Sequence, residues 1–378
     1  MVAAAAIVAI AMASTGAPAP SGGQDARQAR AAYERAIALE ADGNDPAALS
    51  LLWAAAGASP GDADIQNRLG EALDRLGALD AAVDAFRHAL AARPAFGRAM
   101  NNLVVALAKA GRGEAAVAEA RAWVTAAPGD PERLFTLAMA QADQDVDAAM
   151  ATLRQVIVRR PDHALAHYNL ALLLKRIDRV DDAIAEAERA VALEPRPEAR
   201  LALGTLHAQR GDLDRAVAVL DAAVSDQPRY AEGWLQLGSV LKARGDFGRA
   251  ASALRRAIAL RPGAWGAHAA LAAVLARAGD EAGARRASAD AEQRRDDERR
   301  GREAVVATAV GIARLDAGDA RVASERFRAA IAIEATYAPA HYHLGRALQR
   351  LGRIDDARAA FAAAQRLNPS LVPPPDAR

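Results

Sequence analysis

An all-α chain made by stacking pairs of short helices is the fold class the sequence predicts, and three observations carry it. Pro60, Pro94, Pro128, Pro161, Pro195, Pro228 and Pro262 follow one another at intervals of 33 or 34 residues. An alanine recurs at one fixed offset: Ala48, Ala82, Ala116, Ala149, Ala183, Ala216, Ala250, Ala284, Ala323 and Ala357. No stretch shows the apolar-polar alternation that a half-buried strand needs.

The stretch 231–264 shows what is repeated. Trp234, Leu237 and Leu241 recur at three- to four-residue spacing, and Leu254, Ala257, Ile258 and Leu260 form a second stripe beyond Gly245-Asp246. Two amphipathic helices therefore face each other across a tight turn, and Pro262 ends the pair. Gly238 and Ala250 lie where facing helices need a small side chain to bring their axes within about 8–10 Å. The offset of Gly238 gives Ala36, Gly70, Val104, Ala138, Ala171, Gly204, Ala272, Gly311 and Gly345 in the other copies, small at every place but Val104.

With Trp234, Leu237 and Gly238 in its first helix, Ala250 in its second and Pro262 at its end, the unit resembles the tetratricopeptide repeat, whose period is about 34 residues. The resemblance covers ten units: 29–62, 63–96, 97–130, 131–163, 164–196, 197–230, 231–264, 265–298, 304–337 and 338–371. It implies a right-handed superhelical solenoid whose first helices line a concave groove, and a scaffold that binds proteins rather than an enzyme. Unit four lacks the turn glycine and is a residue short at Asp143-Gln144-Asp145, unit five has Asp178 in that place, and units eight and nine lack the closing proline.

In chain order, residues 1–23 differ from all that follows. Val2 to Ala13 is an apolar run too short to span a bilayer, and Ala11-Met12-Ala13 offers an A-x-A-like cleavage site ahead of a Ser/Gly/Pro-rich linker. An export signal is the expectation, with a periplasmic or secreted bacterial protein as its consequence. No Lys or Arg precedes the run, which leaves a retained anchor with upstream residues, or a cytosolic tail, as alternatives. Unit one carries Arg35 where later units have Leu69, Leu103, Leu170 and Leu237, as an amino-terminal cap should.

The groove residues implied by the resemblance are Asn67, Arg68, Arg98, Asn101, Asn102, Tyr168, Asn169 and Gln236, with a second patch at Tyr342, His343 and Arg346. Asn suits a peptide backbone because its amide both donates and accepts. Asn102 and Asn169 match the asparagine ladder of long members of the family, while Thr136, Ala202 and Gln236 interrupt it. The family's carboxylate clamp looks absent, since Asn67 and Asn101 stand where its first Lys belongs. The alternative for these polar residues is that they bridge successive units or are merely solvated.

From Gly279 to Gly318 is 39 residues, so about five extra residues enter near 292–303, EQRRDDERRGRE. The simplest accommodation is a longer second helix of unit eight ending before Gly301, with mixed charges facing solvent. His167 and His341 stand at the Trp234 place and are expected to pack, as are Trp53, Trp123 and Trp265. After Leu371 the chain ends in a proline-rich tail, 372–378.

Composition narrows the function. Lys+Arg 48 against Asp+Glu 47 gives no net field for nucleic acid. Zero cysteines remove thiol catalysis, disulfides and a lipid-anchoring cysteine. No phosphate-binding glycine loop, nucleophile elbow or metal-binding histidine motif occurs. The expectation is a non-catalytic scaffold without cofactor or metal, holding a protein or an extended peptide. Weak self-association, a self-assembling structural solenoid and a substrate-delivering subunit of a separate envelope enzyme are the alternatives. Mass spectrometry of the protein from its native cell should find an amino terminus near Ser14 or somewhat later; recovery of intact Met1 from the cytosol would overturn the export reading.

Overall fold

The computed structural model describes residues 24–41, 45–369, 371 and 373–374; the export-signal stretch and most of the tail lie outside the described residues. Among the described residues are nineteen helices and no strand. In order these are α1 (Gln24–Ala41), α2 (Asp45–Ala58), α3 (Ala63–Arg75), α4 (Leu79–Ala92), α5 (Gly97–Lys109), α6 (Gly113–Thr125) and α7 (Pro131–Gln141). There follow α8 (Val146–Arg159), α9 (Ala164–Arg176), α10 (Val180–Leu193), α11 (Pro197–Arg210), α12 (Leu213–Asp226) and α13 (Ala231–Arg244). The last are α14 (Phe247–Leu260), α15 (Trp265–Arg277), α16 (Glu281–Asp316), α17 (Ala320–Ile333), α18 (Ala338–Arg350) and α19 (Ile354–Leu367). The fold is the all-α solenoid of helical hairpins that the repeats predict. It divides into two compact units, Met1–Val219 and Leu220–Arg378.

Turns between paired helices use one device. Gly77, Gly111, Gly211, Gly245, Gly279, Gly318 and Gly352 all have positive φ, the left-handed conformation that lets the chain leave a helix at little steric cost. In unit five Asp178 takes this role at φ 60. The residue after the glycine often caps the next helix: Asp246 accepts from the Arg249 amide at 3.2 Å, Asp280 from Gly283 at 2.8 Å and Asp319 from Val322 at 3.3 Å. Unit four, without the glycine, starts α8 on Asp145, which accepts from the Ala148 amide at 2.9 Å.

Helix-to-helix approach within a pair is set by two side chains whose sizes trade off. A Cβ placed on Gly70 would lie 2.4 Å from Phe86, on Gly311 2.6 Å from Phe327, on Gly345 2.7 Å from Phe361 and on Gly238 2.6 Å from Leu254. Each glycine leaves the space that the facing ring or branched chain fills. Val104, the one large residue in this series, belongs to the pair whose second helix carries Ala120 at the place of Phe86, and both are buried. The exception in the sequence is therefore a reversal of the same fit, with volume moved from one helix to the other.

Successive units are joined at a second recurring point. The Nε donor of Gln66, His167, Trp234, His268 or His341 donates to the carbonyl six residues earlier, at 3.4, 3.1, 3.0, 3.1 and 2.9 Å respectively. That carbonyl belongs to the closing proline in four cases and to Ala335 in the last. His167 and His341 are thus more than packing residues: they satisfy a carbonyl that the helix end leaves orphaned. Ion pairs repeat as well, Arg93–Asp64 at 2.7 Å, Arg160–Glu132 at 2.6 Å and Arg261–Glu232 at 3.2 Å, each tying the end of a unit to its own first turn. Exposed pairs of this kind contribute little to stability, because solvent screens them.

One expectation fails. No break occurs at Gly301; α16 is a single helix of 36 residues that joins the second helix of unit eight to the first helix of unit nine. A glycine inside a helix costs only about 1 kcal/mol, and no proline stands nearby to end the run. The flanking charges instead fall at helical spacing: Arg299–Asp296 at 3.2 Å, Arg300–Asp297 at 2.6 Å and Arg299–Glu303 at 3.9 Å, with Arg302 on Glu298. Trp265 departs from expectation too, being 40% exposed. Trp123 packs as expected, with Nε1 donating to the Pro94 carbonyl at 2.9 Å and the Arg133 guanidinium 4.7 Å above its ring.

The reciprocal fit is checked by a double-mutant cycle. Gly70→Val should overpack the pair and cost about 1–3 kcal/mol. Adding Phe86→Ala should relieve the overlap, so the double variant loses less than the sum of the singles in chemical unfolding. Additive losses would mean that the two places do not share one space.

Candidate functional site

First helices carry the polar residues singled out from the sequence, and the structure divides them into three groups. In units two and three they converge on one carboxylate. Glu71 accepts from Asn67 Nδ2 at 3.0 Å, Arg98 Nε at 2.8 Å, Asn102 Nδ2 at 3.1 Å and Arg68 Nη1 at 3.1 Å. Asn102 also donates to Asn67 Oδ1 at 3.1 Å, and Arg68 Nε to Glu40 at 2.7 Å. Asn101 is exposed and accepts from the Thr136 hydroxyl. The expectation that these side chains look freely into a groove is corrected at Asn67, which is buried, and qualified at Arg68, Arg98 and Asn102, whose donors are engaged across repeat boundaries. Glu71 and Glu40, absent from the candidates, organise the cluster. The i+4 relation of Glu71 to Asn67 and the preceding-repeat relation of Glu40 to Arg68 are the signal that could have found them.

The second group is smaller and more open. Tyr168 is half-buried on α9 and lines a pocket of about 280 Å³ together with Leu165, Ala199, Glu194, Arg196 and Glu198. The pocket sits between the amino-terminal turns of α9 and α11, with the end of α10 behind it. Burial pushes the Tyr168 phenol above its ordinary pKa, the Glu198 carboxylate adds to that shift, and Arg196 opposes it. An apolar floor with a mixed-charge rim can take one apolar side chain while the rim meets polar backbone. Asn169 turns its amide inward, donating to the Leu165 carbonyl at 2.8 Å. Gln236 is half-buried on α13.

At the carboxy-terminal patch the structure overturns one assignment. His343 is 5% exposed, stacked on Phe327 at 5.7 Å between ring centres and met edge-on by Tyr342 at 5.4 Å. It is a core ring and cannot face a groove. Tyr342 also meets Phe361 edge-on at 5.5 Å, so only its rim and the half-buried Arg346 are accessible. Burial, with Arg346 nearby, pushes the His343 pKa down to about 4.

Other histidines have structural partners. His163 Nδ1 caps α9 by accepting from the Ala166 amide at 3.2 Å, and its pKa is lowered first by burial and then by Arg160. His167 Nδ1 lies 2.6 Å from Glu186. Among the described residues no group of three or more His, Asp or Glu is placed to hold a metal ion. No helix among them is long and apolar enough to cross a membrane.

A periodic stack of helical hairpins, closed by small-on-large contacts such as Gly70 on Phe86 and bonded between neighbours by first-helix polar groups, defines a scaffold of the repeat class. Family models described as tetratricopeptide repeat match residues 67–131, 139–195, 197–240, 231–274 and 314–371, and the chain belongs to the tetratricopeptide repeat family. None of the curated proteins matches the chain. Among solved structures, a tetratricopeptide repeat protein from Parabacteroides merdae shares 17% identity over 66% of this chain and 99% of its own, with a TM-score of 0.49. TTC0263, a thermophilic TPR protein of Thermus thermophilus, shares 26% over 47% of this chain and 98% of its own, at 0.41. PilW, a type IV pilus biogenesis factor, shares 18% over 52% and 91%, at 0.47.

His343 gives the patch an acid limit. Its folded pKa of about 4 lies below the unfolded value of about 6.5, so below pH 6.5 the unfolded chain takes up a proton that the folded chain refuses. The stability of this end is then full above about pH 6.5 and falls as the pH drops toward 4, by about 3 kcal/mol at most. Urea unfolding at pH 7 and pH 5 should show the loss, and His343→Phe, which keeps the stack on Phe327, should flatten it. An equal pH dependence in both proteins would refute the assignment.

Proposed function

We propose that the chain is a non-catalytic scaffold that holds a protein partner through an extended segment laid along its first helices, with an apolar side chain of that segment seated against Tyr168. The observation that carries this reading is the Tyr168 pocket, an apolar recess at a junction of two units with charged groups on its rim. Membership of a family whose repeats generally mediate protein interactions supports it. Near-balanced charge, 48 basic against 47 acidic residues, favours protein over nucleic acid as the partner. Asn101 supplies a polar contact on the first helices of the early repeats, where the Glu71 cluster holds neighbouring helices in register, and Gln236, Tyr342 and Arg346 are the polar groups on first helices of the later repeats. The apolar run at 2–13 supports a place in a bacterial envelope.

Site-specific photocrosslinking in the native cell tests this. A photoreactive residue at Tyr168 or Asn101 should capture a protein, whereas one at Arg154, exposed on second helix α8, should not. Capture from Arg154 with none from the first helices would place binding on the opposite face.

A further inference from the structure

One helix face in unit nine is built for burial and lies open. Counting within each repeat, the third, seventh and tenth residues of the first helix pack against the preceding repeat. In unit three these are Ala99, Leu103 and Ala106, and in unit ten Ala340, Leu344 and Ala347, all buried. In unit nine they are Val306, Val310 and Ala313, and all three are exposed, Val306 at 62%. Unit one, which packs on no earlier repeat among the described residues, exposes the same three places, and there the sequence puts Arg35 in the middle of the face. Unit nine keeps valines, and Val305 beside them is 48% exposed.

The matching groove is open as well. Unit eight, which should receive the first helix of unit nine, instead presents a groove of about 640 Å³ between α15 and α16, lined by Trp265, Ala269, Ala272, Ala273, Ser288 and Ala291 among others. Ala284, in the series of invariant alanines, is only half-buried here, although Ala250, Ala323 and Ala357 are buried. The cause is α16 itself. A helix that runs unbroken from Glu281 to Asp316 carries the face at Val306 about 22 Å along its axis from Ala291, at about 1.5 Å per residue, so a chain cannot fill its own groove.

We propose that two copies of this chain exchange their last two units, the first helix of unit nine in each chain filling the groove on unit eight of the other. The occupant is identified by register. A groove of this kind receives a tetratricopeptide first helix in the other internal units, and α16 bears a first-helix face whose apolar places are left open. Valines fit a floor of alanines, and both open surfaces are covered in one two-fold closed dimer. Residues 292–303, charged and without a buried member, form the crossover that stays in water. Elsewhere in the chain the third residue of a first helix meets the twenty-seventh of the preceding unit, as Arg133 does over Trp123, so Val306 should meet Ala291 of the partner chain.

The absence of cysteine makes the test clean. In the full chain carrying Ala291→Cys and Val306→Cys, mild oxidation should give a covalent dimer on a non-reducing gel, and neither single variant should link. The unmodified protein should have twice the chain mass by light scattering at micromolar concentration. Val306→Glu with Val310→Glu should halve that mass and leave helicity unchanged, since both side chains are exposed in the single chain. An intrachain disulfide would overturn the proposal, because it requires α16 to break and unit nine to fold back; Cα atoms must come within about 7 Å for that bond. A ladder of larger species, no bond at all, or a monomeric parent would each overturn it too.

Discussion

Everything in this chain depends on how closely two helices of one repeat can approach. The contact is made by one place on each helix, and two of the pairs divide its volume in opposite ways. Gly70 with Phe86 and Val104 with Ala120 are opposite solutions of the same constraint. Interiors pack to crystal-like density, so a methyl group added on one side has to be withdrawn from the other. Once this distance is fixed, the outer faces of the hairpin are fixed as well, and the next repeat has a surface of defined shape to meet.

The junction between repeats adds a polar condition to that shape. At five junctions a donor of adequate reach meets the carbonyl that ends the preceding unit, and Gln66, His167, Trp234, His268 and His341 provide it. Three unlike side chains share one function because each places an N–H at about the same distance from its own backbone. A pattern search sees a variable place, whereas the structure sees one hydrogen bond made by five of its occupants. The closing proline turns out to be incidental to this bond, for Ala335 accepts as well as Pro262 does.

That contrast explains what could be read in advance. Ala250 and its counterparts were legible because the constraint on them is local and identical in every copy. The compensation of Val104 by Ala120 was not, because it joins residues on two helices whose pairing must be known first. Polar residues on the first helices were found, but their use was not: Asn102 can offer its amide to a peptide or to Asn67 and Glu71, and only distances decide. His343 illustrates the same gap, since a histidine between Tyr342 and Leu344 looks alike whether it stacks on Phe327 or faces solvent. The failure at Gly301 is of another kind. A weak local preference for a break was outweighed by charges at helical spacing on both sides.

The unbroken helix α16 also imposes an angular rule on the chain. A loop absorbs an added residue by bending, but a helix converts it into a rotation of about 100° and an advance of about 1.5 Å for everything that follows. The residues at 292–303 are therefore free in identity, provided that they stay polar and helical, yet fixed in number. Substitution there changes only the surface, whereas insertion of a single residue would turn the valine face of the next unit to a different azimuth. Length, which tolerant surface segments usually leave unconstrained, is here the quantity that carries structural information.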